Sequence, residues 1–590
     1  MDELSAAAEI WGIDQGYHDV FGKWHTVSPE ILARLVAAVS AGQTAPLHSF
    51  TSRDRADPGR AFQGGAGRVW GLAVQLYSVR SRSNWGHGDF GDLSRLVALA
   101  ASCGASAIGL NPLHALFPDR AEQASPYAPN SRLYLNPLYI DVEAIPEFPG
   151  AEAAGLTADV VALRASEMIA YASVAKAKLA ALRLAYARFR QAPAPERRAD
   201  FEAYREQQGG ALLRFACFEC LRQHYAPKPW PQWPAPWCKA DLQTLQDFRA
   251  AHRDECEFHE FVQWIADRQL QACQDAARQQ GLAIGLYIDL AVGIDPLGAD
   301  AWSQQDTVLA DLSIGAPPDE FNPAGQDWGL APFNPHMVAA NDFEPMRRLM
   351  RASMRHAGAV RLDHVLGLMR MFLIPRGFGA AAGAYVHYPF EQLLRVIAEE
   401  SNRLRCIVIG EDLGTVPENF RETLARWGLW TYRVMMFERE HDGRFRPPEA
   451  YPVEALATFN THDLPTYRGW LLGHDLRTKL TIGVDAGESA EARGRSHEAL
   501  RAILAERAPA HPRDDFTGVA NFLAATPSNL VVVSLDDVLD VIDQVNIPGT
   551  VDQHPNWRHK LPVDVEDIGS LEGLRRIAQV FAQAGRGRAR

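Results

Sequence analysis

The sequence predicts an α/β protein, a (β/α)8 TIM barrel with helical insertions and a short N-terminal helical cap. Three observations predict it. Short apolar runs end abruptly in polar or charged residues, as in Ala359-Val360-Arg361-Leu362-Asp363-His364, Cys406-Ile407-Val408-Ile409-Gly410-Glu411-Asp412 and Ala457-Thr458-Phe459-Asn460-Thr461-His462-Asp463. Helical patterns alternate with such runs, the rhythm of βα units around a parallel sheet. The acids stand at the carboxyl ends of the runs, where barrels of this kind carry their active sites.

Residues 1–45 read as the cap, expected over the barrel floor. Ser28 can N-cap, Pro29 suits the first helical position, and Ile31, Leu32, Leu35, Val36 and Val39 form one apolar stripe before Gly42. Residues 46–67, rich in Ser, Pro, Gly and mixed charge, read as a linker, and 68–590 as the barrel domain. The spacing predicts a first strand from Val69 to Leu76, a helix from Phe90 to Cys103 and a second strand from Ala107 to Leu113. A mostly helical insertion at about 117–280 then interrupts the rhythm, with helices expected over Ser166 to Arg190 and Asp200 to His224. Strands three to eight are expected at Ala283–Asp289, Ala359–Asp363, Cys406–Glu411, Trp430–Met435, Ala457–Asn460 and Leu530–Ser534, with a last helix from Leu571 to Ala584.

Composition narrows the function. The chain has 590 residues, 47% of them hydrophobic and 22% charged, with a net charge of −13, which disfavours nucleic acid and anionic membrane as partners. No apolar run is long enough to span a bilayer, and the first residues lack the basic start and apolar core of a signal peptide. Seven scattered Cys fit a reducing compartment, so a cytoplasmic location is expected. Cys217-Phe218-Glu219-Cys220 matches C-x-x-C but lies in a helical pattern without a second pair, a poor zinc signature. Pro229-Trp230-Pro231-Gln232-Trp233-Pro234 reads as a packed surface loop in preference to a sugar platform.

The strand-end acids point to glycoside chemistry. Retaining enzymes need two carboxyls roughly 5–5.5 Å apart, one as nucleophile and one as acid and then base. Neighbouring fourth and fifth strands can bring Asp363 and Glu411 to such a separation. Asp363 suits the nucleophile, with Arg361 on the same strand face to hold it ionised. Glu411, on a nearly all-apolar strand, suits the acid. Asp463 suits stabilisation of positive charge at the anomeric carbon, and His364 and His462 suit hydrogen bonds to hydroxyls of the same ring. Two other readings compete: a metal site, since Asp-His pairs at strand ends also bind zinc, and a non-catalytic glucan-binding barrel. Barrel metallohydrolases favour an H-x-H on the first strand, where this chain has Gln75 and Tyr77. A binding module has no need of an acid/base pair.

The motifs carry a resemblance. Arg361-Leu362-Asp363-His364, Gly410-Glu411-Asp412-Leu413-Gly414 and Asn460-Thr461-His462-Asp463 resemble the signatures of the 4-α-glucanotransferases (amylomaltases or disproportionating enzymes), a branch of the α-amylase clan. Ser125-Pro126-Tyr127 with Asn136-Pro137-Leu138-Tyr139-Ile140-Asp141, Gly325-Gln326-Asp327-Trp328-Gly329 with Pro332-Phe333-Asn334-Pro335, and Asn546-Ile547-Pro548-Gly549-Thr550 with His554-Pro555-Asn556-Trp557-Arg558 are similar to stretches that separate this branch from ordinary amylases. The resemblance implies Asp363 as nucleophile, Glu411 as acid/base and Asp463 as transition-state stabiliser. It also implies Arg361, His462 and Asp289 on the covalently held sugar, Tyr127 stacked on that sugar, and Trp328 on the acceptor side. Maltodextrin donors and acceptors are the implied partners, with no metal or organic cofactor. The rival inside this class is a retaining α-glucan hydrolase, which shares the first half-reaction. Relatives with this maltodextrin type of sequence often carry larger N-terminal domains, for which the stretch before residue 68 leaves no room.

Overall fold

The computed structural model describes residues 3–587 apart from 20–21, 47–58, 66, 121–122, 319–324, 415 and 509–514; most of the expected linker lies outside the described residues. Eight parallel strands close a barrel: β1 Val69–Val74, β2 Ala107–Leu110, β3 Gly285–Leu290, β4 Ala359–Leu362, β5 Ile407–Gly410, β6 Trp430–Val434, β7 Ala455–Thr458 and β8 Leu530–Ser534. They follow one another in chain order, and β8 closes onto β1 with Leu530 beside Val69. All eight strands are buried along their whole length or all but one residue, as the continuous apolar runs require of a sheet covered on both faces. The helix Phe90–Cys103 occupies the expected residues, started by a capping box between Asp89 and Asp92 and stopped by Gly104 at φ +77°.

Strand ends fall one to three residues short of the expected ones at β1, β2, β4, β5, β6 and β7, at all but β6 because the chain turns as soon as its polar residues reach the mouth. The insertion carries the helices Tyr171–Gln191, Pro195–Tyr225 and Arg253–Gln279; the second is broken at Gly209 (φ +54°). Trp233 is buried against Phe218, Tyr225 and Trp302, so the Pro-Trp stretch is a packed loop. Cys217 and Cys220 are buried in the second helix, with Cys220 Sγ 3.4 Å from Cys256 Sγ.

A second sheet was not foreseen. Four antiparallel strands, in the order Ala384–His387, Arg370–Pro375, Leu312–Ala316 and Gln326–Asp327, are built from the segments after β3 and β4. The N-terminal cap docks here and not on the floor. Its helix Pro29–Ser40 is capped by Ser28 Oγ, 3.4 Å from the Ile31 N–H, and buries Ile31, Leu32, Leu35 and Val39. Asn334 Nδ2 donates to Val39 O at 2.9 Å, and the His387 N–H donates to Gly12 O at 2.8 Å. The floor is closed otherwise. The Phe62 N–H donates to Ser401 Oγ, and the fully buried Arg586 donates to the carbonyls of Val69, Ala524 and Ser528.

Candidate active site

At the mouth, β3 and β4 lie in register with Arg361 beside Asp289. That placement decides the local charge arrangement. Arg361 grips both carboxylate oxygens of Asp289, at 2.7 and 2.8 Å, and reaches Asp363 Oδ1 with its other nitrogen at 3.1 Å. Asp289 also accepts from the Tyr127 hydroxyl at 2.6 Å. Arg361 and Asp289 are both buried, whereas the Asp363 side chain stays 20% exposed and open to the mouth. Burial pushes the Asp363 carboxyl up to about 6; Arg361 draws it down, and Asp289 and Glu411 push it up again. Arg361 thus lowers the Asp363 carboxyl without cancelling the effect of burial, and its shorter contacts, both from one nitrogen, go to Asp289.

Glu411 stands just beyond β5. One of its oxygens accepts the His364 N–H and the other the Leu413 N–H, each at 2.9 Å. His364 reaches it by adopting a left-handed backbone (φ +48°, ψ +58°), an uncommon state for a residue with a side chain. Gly410 permits the approach, because a Cβ there would stand 2.9 Å from Val365 Cγ1. Burial raises the Glu411 carboxyl; Arg361 and the two backbone donors offset part of the rise. The residue next to Asp363 in sequence thus holds Glu411, which ties the two acids to one turn.

Asp463 lies in the turn beyond β7, in a different setting. His462 Nε2 is 3.4 Å from its Oδ2, and Asn546 Nδ2 donates to its Oδ1 at 2.6 Å. Burial pushes this carboxyl up, but His462 and Asn546 more than offset it, so it stays below its ordinary value. The side chain is 44% exposed. The Tyr127 ring stacks on His462 with centroids 4.7 Å apart, and Trp557 packs on both rings at 5.5 and 5.3 Å. Trp328 comes from the second sheet and meets the His364 ring edge-on at 5.2 Å.

The comparisons bear on this geometry. The family described as 4-alpha-glucanotransferase matches residues 74–565. The chain belongs to the 4-alpha-glucanotransferase family. It is 36% identical to a 4-alpha-glucanotransferase of Haemophilus influenzae over 555 residues, which cover 88% of this chain and 79% of that protein. It is 38% identical to one of Mycobacterium bovis over 533 residues, covering 85% and 73%. The crystal structure of amylomaltase from Corynebacterium glutamicum superposes with a TM-score of 0.84 at 28% identity, covering 98% of this chain and 99% of that one. An amylomaltase of Streptococcus agalactiae solved with acarbose has the same fold, with a TM-score of 0.74 at 20% identity over 88% and 100% of the two chains.

In this glucanotransferase all nine residues singled out from sequence lie at the strand ends β3, β4, β5 and β7 or on segments packed against them. Asn546 and Trp557 belong to a motif read from sequence, but their contacts with Asp463 and with the Tyr127–His462 stack were missed. Tyr432, whose ring centroid lies 5.5 Å from the Arg361 guanidinium, gave no signal beyond its place on β6. Among the described residues no group of three His, Cys, Asp or Glu is arranged for a metal ion, and no helix is long and apolar enough to cross a membrane.

Proposed function

We propose that the enzyme moves α-1,4-glucan segments from one maltodextrin to another, or to glucose, by double displacement with retention. Asp363 attacks the anomeric carbon while Glu411 protonates the departing glycosidic oxygen, leaving a β-glucosyl ester on Asp363. An acceptor hydroxyl then gives its proton to Glu411 and displaces Asp363. Asp463, kept ionised by His462 and Asn546, stabilises the positive charge that develops between these states. Arg361, Asp289, Tyr127, His462 and His364 hold the covalently bound sugar, and Trp328 lines the acceptor side, where exclusion of water favours transfer over hydrolysis.

One observation carries this reading: three carboxylates around one mouth sit in unlike environments, two pushed up by burial and one held down by its partners. That difference is what an acid, a nucleophile and a stabilising anion need. Cytoplasmic maltodextrins derived from glycogen or starch are the substrates we infer, and no metal or organic cofactor enters the scheme. The test is incubation with maltotriose and a chelator. We expect glucose and a ladder of longer maltodextrins with constant total reducing ends. Shorter products with rising reducing ends would make the enzyme a hydrolase.

A further inference from the structure

A cavity of about 150 Å³ opens beside the segment that follows β1 and shares no residue with the site above. Its walls carry Arg80 and Arg82 from that segment, Arg164 from the last turn of the helix Thr157–Ala165, and Lys560 and Asp564 from the C-terminal segment. Four cations face one carboxylate, in a chain with a net charge of −13. Two of the cations have no counterion among the described residues. Arg164 donates only to the carbonyls of Asn84 and Ser83, both at 2.6 Å, and Lys560 only to those of Leu163 and Ser166, both at 2.9 Å. Among the described residues neither comes within ion-pair distance of a carboxylate. The other two are partly compensated: Arg80 lies 3.7 Å from Asp564, and Arg82 binds Asp567 outside the cavity, with Glu566 near its backbone.

Packing unneutralised cations together costs free energy that an anion seated among them would recover. Burial and Arg80 push the Lys560 ammonium down to about 8, as befits a cation short of a counterion. The donors come from three chain segments and converge on one small volume, which suits a compact anion with several oxygens better than a single carboxylate. We propose that this cavity binds a phosphoryl group, carried by inorganic phosphate or by a phosphorylated sugar. The volume admits the phosphoryl group and part of what it is attached to.

The test is a 31P NMR and calorimetric titration of the whole enzyme at constant ionic strength, once with inorganic phosphate and once with glucose 1-phosphate. Saturable binding is expected, weakened at least tenfold by Lys560→Gln and severalfold by Arg80→Gln. Asp564→Asn removes the one carboxylate in the wall and is expected to tighten binding severalfold, a gain that misfolding does not imitate. Equal affinity for both ligands assigns the site to the phosphoryl group alone, and tighter glucose 1-phosphate assigns it to a sugar phosphate. Asp363→Asn is expected to leave the affinity unchanged. The proposal is overturned if neither ligand binds saturably at millimolar concentration, if Lys560→Gln and Asp564→Asn bind like the unaltered enzyme, or if Asp363→Asn abolishes binding.

Discussion

Asp363 and Asp463 open on the same mouth, yet their surroundings drive them in opposite directions. Asp363 shares a buried corner with Asp289 and Glu411, and its one cation is already engaged bidentately by Asp289. Asp463 is more exposed, and an imidazole and an amide both contact it. The first arrangement leaves a carboxylate that is ionised at pH 7 only at a cost, and so gains from a positive centre brought near it. The second keeps an anion permanently in place. Net charge at the mouth does not reveal this; the distribution of partners does.

The largest expected effect comes from removing the charge of Asp363. Asp363→Asn should lower turnover by roughly 10⁴-fold or more while sugar binding survives. It should also stabilise the fold. A carboxyl raised to about 6 is ionised in the folded enzyme at a cost that is absent below its ordinary value and complete above pH 6. At pH 7 the amide removes that cost, up to about 3 kcal/mol, less what the lost Arg361 contact contributes. Thermal unfolding at pH 7 and at pH 4 checks the sign: the gain should be present at the first and fade at the second. Asp463→Asn should show no such gain, because its carboxyl is held below the ordinary value.

Glu411→Gln should cost about 10²–10⁴-fold on maltodextrins. The loss should shrink with a donor whose leaving group departs without a proton, such as a glucosyl fluoride. An equal loss on every donor would remove Glu411 from the role of acid. Because Asp363 and Glu411 are joined through the His364 turn, their titrations belong to the pair, and a pH profile reports the two steps and not two residues.

The comparison also marks what the sequence could carry. Most of the strands were legible as apolar runs ended by a polar residue, and the acids were legible because they are such ends; β6, with Thr431 and Arg433 inside it and Met435 after it, is the exception. Arg361 shows the limit. Within one strand Asp363 is its nearest acid, two residues on along the same face, but the register of β3 against β4 sets Asp289 directly beside it, and the cross-strand neighbour takes the stronger grip. The second sheet escaped for a related reason: its strands are two to six residues long and come from segments on both sides of β4, so no local periodicity announces it. Asn546 lies 83 positions from Asp463, and only the fold brings the two together.

The smallest of these effects is the most selective. Asn546→Ala removes a donor from Asp463 and leaves His462 as its partner. Losing a hydrogen bond to a charged group costs about 1.5–3 kcal/mol, so activity should fall on the order of 10- to 100-fold. The Asp463 carboxyl should rise, since a group that favoured its ionised form is gone. In the unaltered enzyme the acid limb of kcat/KM should lie near pH 6, where the Asp363–Glu411 pair loses its first proton, with Asp463 ionised well below that and silent. In Asn546→Ala a second ionisation should steepen the low-pH end of this limb while its midpoint stays near 6. An unchanged slope would mean that His462 alone holds Asp463, and that the amide serves only to anchor the loop that carries Trp557 against the Tyr127–His462 stack.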